Sequence, residues 1–248
     1  VGVTTRRLAS TVREQGNLLE FDVALGTTSY ALAQVNSAGD VEVTIRDLDT
    51  DSVLATRRMP GTGLSEGYFR PRVIYDTANA RYSVFAFRSN SALAAFGVDA
   101  FYIDANTFVA SVVAVVVGFA GAAITSSLLM DVHLVTGGSY ALVALDPTTA
   151  NLMLATLNST LVVVVSGTSA APAAAPVSLT AYGELSAGVT TVYALFGAST
   201  NLRGFSMPDS TGVVSAEVTI QSTAPDLVGR VAVYSTGAGA IEIAYDTF

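Results

Sequence analysis

The sequence predicts an all-β protein built as an array of about five four-stranded units, and three observations predict it. Runs of Val, Ile, Thr, Tyr and Phe recur along the 248 residues, bounded by Gly, Asn, Asp and Ser, which is how strands and their turns read. No span sustains the 3.6-residue periodicity of an amphipathic helix. A phrase also returns with variations: an apolar strand, an Asp, small residues, a Thr, then a second apolar strand. It stands at 41–54, 101–109 and 141–149, with a weaker copy at 205–214.

Residues 1–16 show little periodicity and read as an N-terminal arm. Strands are expected at 18–25, 30–35, 41–48 and 52–59, joined by tight turns, and Pro60-Gly61-Thr62-Gly63 ends this first unit. A second unit takes 72–75, 81–88, 98–103 and 108–117. In it, Tyr82, Val84 and Ala86 alternate with Ser83, Phe85 and Phe87, so both faces of the strand are covered by neighbours. A third unit takes 132–136, 140–145, 151–157 and 161–165; an exposed Ala/Pro linker is expected at 166–176, a fourth unit at 177–220 and a half-unit at 227–248. The domain reading is an arm at 1–16 and one β domain at 17–248. Two β-sandwich domains divided at the linker are the alternative architecture.

Side-chain oxygens of Asp and Thr turn the backbone by bonding nearby amides, so apolar residues on either side make each phrase a hairpin. Asp49, Asp104, Asp146 and Asp209 lie 55, 42 and 63 residues apart, close to one four-stranded blade. At these turns, best at Leu145-Asp146-Pro147-Thr148-Thr149, the chain resembles the β-propeller repeat families of the quinoprotein and NHL type. The resemblance covers only the turns, and most copies lack the family's Gly and all lack its Trp. It implies a β-propeller-like array of blades, and nothing about a site.

Composition narrows the function classes. With 51% hydrophobic and 13% charged residues, the chain has ample material for a packed core. All 12 basic residues are Arg, ten of them at or before Arg88, whereas ten of the 20 acids follow residue 90, so the net charge of −8 sits on the second part. Such a surface repels phosphate backbones, and no nucleic-acid partner is expected. With no Cys, disulfides, thiolate metal sites and Cys nucleophiles are excluded. The stretch 105–130 carries no charge, long enough to span a bilayer as a helix. Acidic flanks and interruptions by Gly118, Gly121 and Thr125 instead make it buried strands, with no membrane insertion expected.

No catalytic constellation is evident. His133 is the sole histidine, set between Val132 and Leu134, and no G-x-S-x-G elbow supplies a partner serine. Asp47, Asp49 and Asp51 form D-x-D-x-D, the opening spacing of a calcium loop, but Ser52 and Arg58 stand where an EF-hand needs Gly and Glu. They are the candidate metal ligands, with calcium the candidate ion and an Asp-rich turn the plainer reading. Paired carboxylates could serve glycoside hydrolysis, yet Trp is absent and the acids mostly sit in or beside turns. Asn158-Ser159-Thr160 is a glycosylation sequon, and Gly61, Gly63 and Gly67 have the wrong spacing for a phosphate loop.

The expected function is a non-enzymatic structural or binding protein, a repeated component of an extracellular assembly such as a bacteriophage virion (tail, spike or fibre). It would make protein contacts within an oligomeric assembly, with a cell-surface glycan as the other candidate partner. The alternative is a carbohydrate-binding or glycoside-hydrolase-like propeller with a calcium-assisted site.

Overall fold

The computed structural model describes residues 14–15, 18–19, 21–61, 67–90, 95–121, 128–198, 201–222, 228–237 and 240–247, and these contain strands and turns but no helix. Strands β1 (Glu14–Gln15) and β2 (Leu18–Leu19) pair with each other. Four sheets follow, each of four antiparallel strands in chain order. The first holds β3 (Phe21–Leu25), β4 (Ser29–Val35), β5 (Val41–Asp47) and β6 (Val53–Met59); the second β7 (Gly67–Asp76), β8 (Arg81–Ser89), β9 (Ala95–Asp104) and β10 (Ala114–Ala120). The third holds β11 (Met130–Val135), β12 (Ser139–Leu145), β13 (Leu152–Leu157) and β14 (Val163–Thr168); the fourth β15 (Ser178–Ser186), β16 (Val189–Ala198), β17 (Asn201–Pro208) and β18 (Val218–Ser222). A two-stranded sheet, β19 (Val228–Gly237) and β20 (Ala240–Thr247), completes the described residues.

The first strands lie against one another, β3 on β7, β7 on β11, β11 on β15 and β15 on β19. They are therefore the innermost strands of a propeller-like array. Apolar residues on both faces of the second and third sheets demand cover on both sides, and the sheets before and after provide it. One core joins the first sheet (Val35, Val43, Ile45) to the second (Tyr82, Val84, Phe101). A second joins the second sheet (Phe85, Phe87, Phe96) to the third (Tyr140, Leu142, Leu157). A third joins the third sheet (Val143, Leu154) to the fourth (Val192, Phe196, Phe205). The two-sandwich alternative does not form, and the expected five units become four complete sheets and a pair of strands among the described residues.

The outermost pair of every four-stranded sheet contains a register shift, at Ile45/Arg46, Val115/Val117, Thr156/Leu157 and Leu202/Arg203. Bulges bend and twist an edge strand away from regular pairing. This matters because the same edges expose apolar side chains, including Val115 at 61% in the uncharged stretch 105–130. No described helix is long and apolar enough to cross a membrane. Most of the arm expected at 1–16 lies outside the described residues, only Glu14–Gln15 being among them. In the stretch 166–176, the first three residues finish β14, and the buried Ser169 hydroxyl accepts the Leu152 amide.

The repeating turn proves real but shifted. Asp47, Asp104 and Pro208 end the third strands of their sheets, and their carbonyls accept the amides of Asp51, Phe108 and Gly212, each with positive φ. In the third sheet this place belongs to Asn158, whose Oδ1 accepts the amides of Thr160 and Val162 and the Thr160 hydroxyl. Asp146 caps the same kind of turn one connection earlier, between β12 and β13. The structural series 47, 104, 158 and 208 has intervals of 57, 54 and 50 residues, more even than the series drawn through Asp146.

Candidate active site at the innermost strands

Pro71 sits within β7, an edge strand, where a residue without an N–H is tolerated at a bulge. The β7–β8 register shifts between Phe69 and Arg72, and Arg70 takes φ 53°. Arg72 follows this irregularity, and its Nε stands 3.0 Å from Asp131 Oδ1. The two make an ion pair without hydrogen-bond alignment at Nε. Asp131 Oδ2 accepts the Ala181 amide of β15 at 3.0 Å, so this carboxylate joins the innermost strands of three successive sheets. Asp22, near the start of β3, accepts the Val73 amide of β7 at 3.0 Å.

Burial pushes the Asp22 carboxyl above the ordinary range, while the Val73 amide and the Arg72 charge pull it back. Burial pushes Asp131 up as well; Arg72 opposes that, and the negative charge of Asp22 adds to it. Asp131 thus pairs with the Arg72 guanidinium, Asp22 feels the same charge at longer range, and the charge of Asp22 acts on Asp131. Such a pair of carboxyls holds a proton to higher pH than isolated carboxyls do.

One turn of the pleat beyond Asp131, His133 Nδ1 accepts the Gly183 amide at 3.2 Å. Its ring lies 4.8 Å from that of Tyr182, and burial holds its pKa below the ordinary value. The approach is close because position 183 has no side chain: a Cβ there would meet Val135 Cγ2 at 2.4 Å and Ala141 Cβ at 2.7 Å.

Asp47, Asp49 and Asp51 lie at the far end of the first sheet, since β5 runs with β3 and Asp22 stands near the start of β3. Asp47 Oδ1 accepts the amides of Asp49 and Thr50 and the Thr50 hydroxyl. Asp51 lies against the Tyr30 hydroxyl and 3.7 Å from Arg46 Nη1. The three aspartates do not converge, and among the described residues no group of three or more His, Asp or Glu side chains is arranged to hold a metal ion. Asp22, Arg72 and Asp131 escaped the sequence reading. Their signal was present as a charge embedded in an apolar strand, in Phe21-Asp22-Val23 and Met130-Asp131-Val132.

Other buried polar groups tie sheets together. Asp76 is fully buried, and its Oδ2 accepts from Asn79 Nδ2 at 2.7 Å and the Tyr140 hydroxyl at 3.0 Å, with Arg81 at 3.3 Å. Tyr82 donates to the Ser29 carbonyl at 2.7 Å across the preceding seam. These are contacts between protein groups on neighbouring sheets.

No family model matches the sequence, and no curated protein matches it. Among solved structures, the Dos1 propeller is similar with a TM-score of 0.54 at 15% identity, over 90% of this chain and 55% of that one. The exo-β-1,3-galactanase of Phanerochaete chrysosporium gives 0.44 at 11%, over 92% and 60% of the two chains. The GH43 endo-arabinanase of Bacillus licheniformis gives 0.46 at 12%, over 92% of each. The chain thus spans 60% or less of the galactanase just named and of the Dos1 propeller. At such identities the likeness concerns the fold, a β-propeller. Glycoside hydrolases stand among these structures, and the expectation of a protein without enzymatic activity is corrected. That expectation rested on the absence of a catalytic constellation from the sequence, whereas Asp22 and Asp131 lie in innermost strands and Asp131 pairs with Arg72.

Proposed function

We propose that the chain is a carbohydrate-active propeller that engages a saccharide along the innermost strands that carry Asp22, Arg72 and Asp131. One observation carries the reading: two carboxyls on the innermost strands of the first and third sheets, both raised by burial, feel the charge of Arg72 from the second, and Asp131 pairs with it. Sugar hydroxyls are bound by carboxylate acceptors and guanidinium donors, and glycosidic bond cleavage needs one carboxyl protonated and another ionised. Burial raises both carboxyls, and the Arg72 charge opposes that at each. The Asp-Thr turns are read with it as those of a quinoprotein- or NHL-like repeat. A polysaccharide ligand sets its work outside the cell.

The test is a panel of soluble polysaccharides, including β-1,3-galactan and α-1,5-arabinan, assayed for binding by affinity electrophoresis and for cleavage by release of reducing ends. Binding that is lost in both Asp22→Asn and Asp131→Asn, with the fold intact by circular dichroism, supports the reading; cleavage lost with it makes the site hydrolytic. A panel without retardation or cleavage, or retardation indifferent to both variants, overturns it. A calcium titration followed by thermal melting checks the Asp47 turn separately, because an ion bound to the native state raises its melting temperature.

A further inference from the structure

We infer that His133 is a positioning residue of the innermost-strand site, and that its protonation parts the third and fourth sheets where Asp131 is anchored. The inference rests on the carbohydrate reading for what is lost, but the seam itself does not.

The geometry fixes the tautomer. Nδ1 accepts the Gly183 amide, so in the neutral ring the proton is on Nε2. Protonation puts a second N–H at Nδ1, facing an amide that can only donate. The seam cannot adapt by sliding, because at Gly183 it is closed against Val135 and Ala141 within the space of one methyl group. Two residues away on both strands, the Ala181 amide holds Asp131 Oδ2. A repulsion that lifts Gly183 from β11 therefore pulls on the anchor of Asp131.

The surroundings give the cation no compensation. On β11, Asp131 is already engaged by Arg72 of β7 and by the Ala181 amide. From β15 come the Tyr182 ring at 4.8 Å and Glu184, whose charge is felt at Tyr193 of β16. From β12 comes the methyl of Ala141, close to Gly183. The only resolved influence on the imidazole is burial, which disfavours the charged form.

Because His133 is the sole histidine, its titration can be followed by long-range ¹H–¹⁵N spectra without assignment ambiguity. In the intact protein the neutral ring should show the Nε2–H tautomer and titrate below 6.5. As pH falls through that midpoint, exchange of the Gly183 and Ala181 amides, corrected for its intrinsic pH dependence, should rise about tenfold per unit of pKa separation. The Val73 amide, bonded to Asp22 at another seam, should not change. His133→Asn can place Oδ1 as a non-titrating acceptor; it should keep Gly183 protected and remove the acid step. Saccharide affinity should fall over the same pH interval in the native protein and persist in the variant. Titration of His133 with unchanged exchange at Gly183 and Ala181, or the same acid step in His133→Asn, overturns the inference. The exchange step without any saccharide binding supports the seam inference and sinks the carbohydrate reading alone.

Discussion

Arg72 of β7 stands 3.0 Å from Asp131 of β11, and Asp131 in turn holds an amide of β15. One carboxylate therefore serves as counterion on one side and as hydrogen-bond acceptor on the other. Asp131→Ala should remove both and cost about 1–3 kcal/mol. Most of that comes from the unsatisfied Ala181 amide, because Arg72's side chain is 37% exposed and solvent screens the ion pair. Asp131→Asn keeps an acceptor and should cost under about 1 kcal/mol. Urea denaturation of both variants checks this, and equal losses would contradict it.

Tyr140 lies at the second seam, where its hydroxyl contacts Ser83 Oγ at 2.7 Å and donates to the buried Asp76. Tyr140→Phe leaves the ring in place against Phe85, 5.6 Å between centroids, and deletes only the hydroxyl. The buried carboxylate loses a donor, and stability should fall by about 1–3 kcal/mol. A chemical denaturation midpoint unchanged from that of the native protein would show that the bond contributes nothing net.

Asp104 should contribute to acid unfolding with a definite sign. The Thr107 amide first, then the Thr107 hydroxyl and the Asn106 amide, hold its carboxyl below the ordinary carboxylate value. A depressed carboxyl contributes stability present above its unfolded pKa and lost as pH falls through the folded value. Asp104→Asn keeps the acceptor but cannot titrate, so its melting temperature should fall less steeply than the native one between about pH 4 and pH 2. Parallel slopes in thermal melts over that range would refute the assignment.

Much of the fold was legible because it depends on local chemistry. Alternation in Tyr82–Phe87, turn residues and Val-rich runs each act over a few positions, and the strands formed where they pointed. The blade register was not: Asp146 and Asn158 both cap turns through side-chain oxygens, and no local feature says which connection of a sheet each occupies. Only pairing of β12 with β13 and β13 with β14 settles it. The candidate site was illegible for a related reason. Asp22, Arg72 and Asp131 lie 50 and 59 residues apart, and they come onto neighbouring strands because three sheets place their first strands side by side. Their visible trace was the expense of a charge inside an apolar strand, which burial without a partner would forbid.

Each oily core spans two adjoining sheets, so among the described residues none of the four-stranded sheets possesses a core of its own. Cutting the polypeptide between sheets would therefore strip a wet-proof wall from whichever neighbour remained. Shortening by one sheet does not subtract a module; it lays bare a raw greasy flank that must find another cover or clump. The array can tolerate altered turns far more readily than altered length.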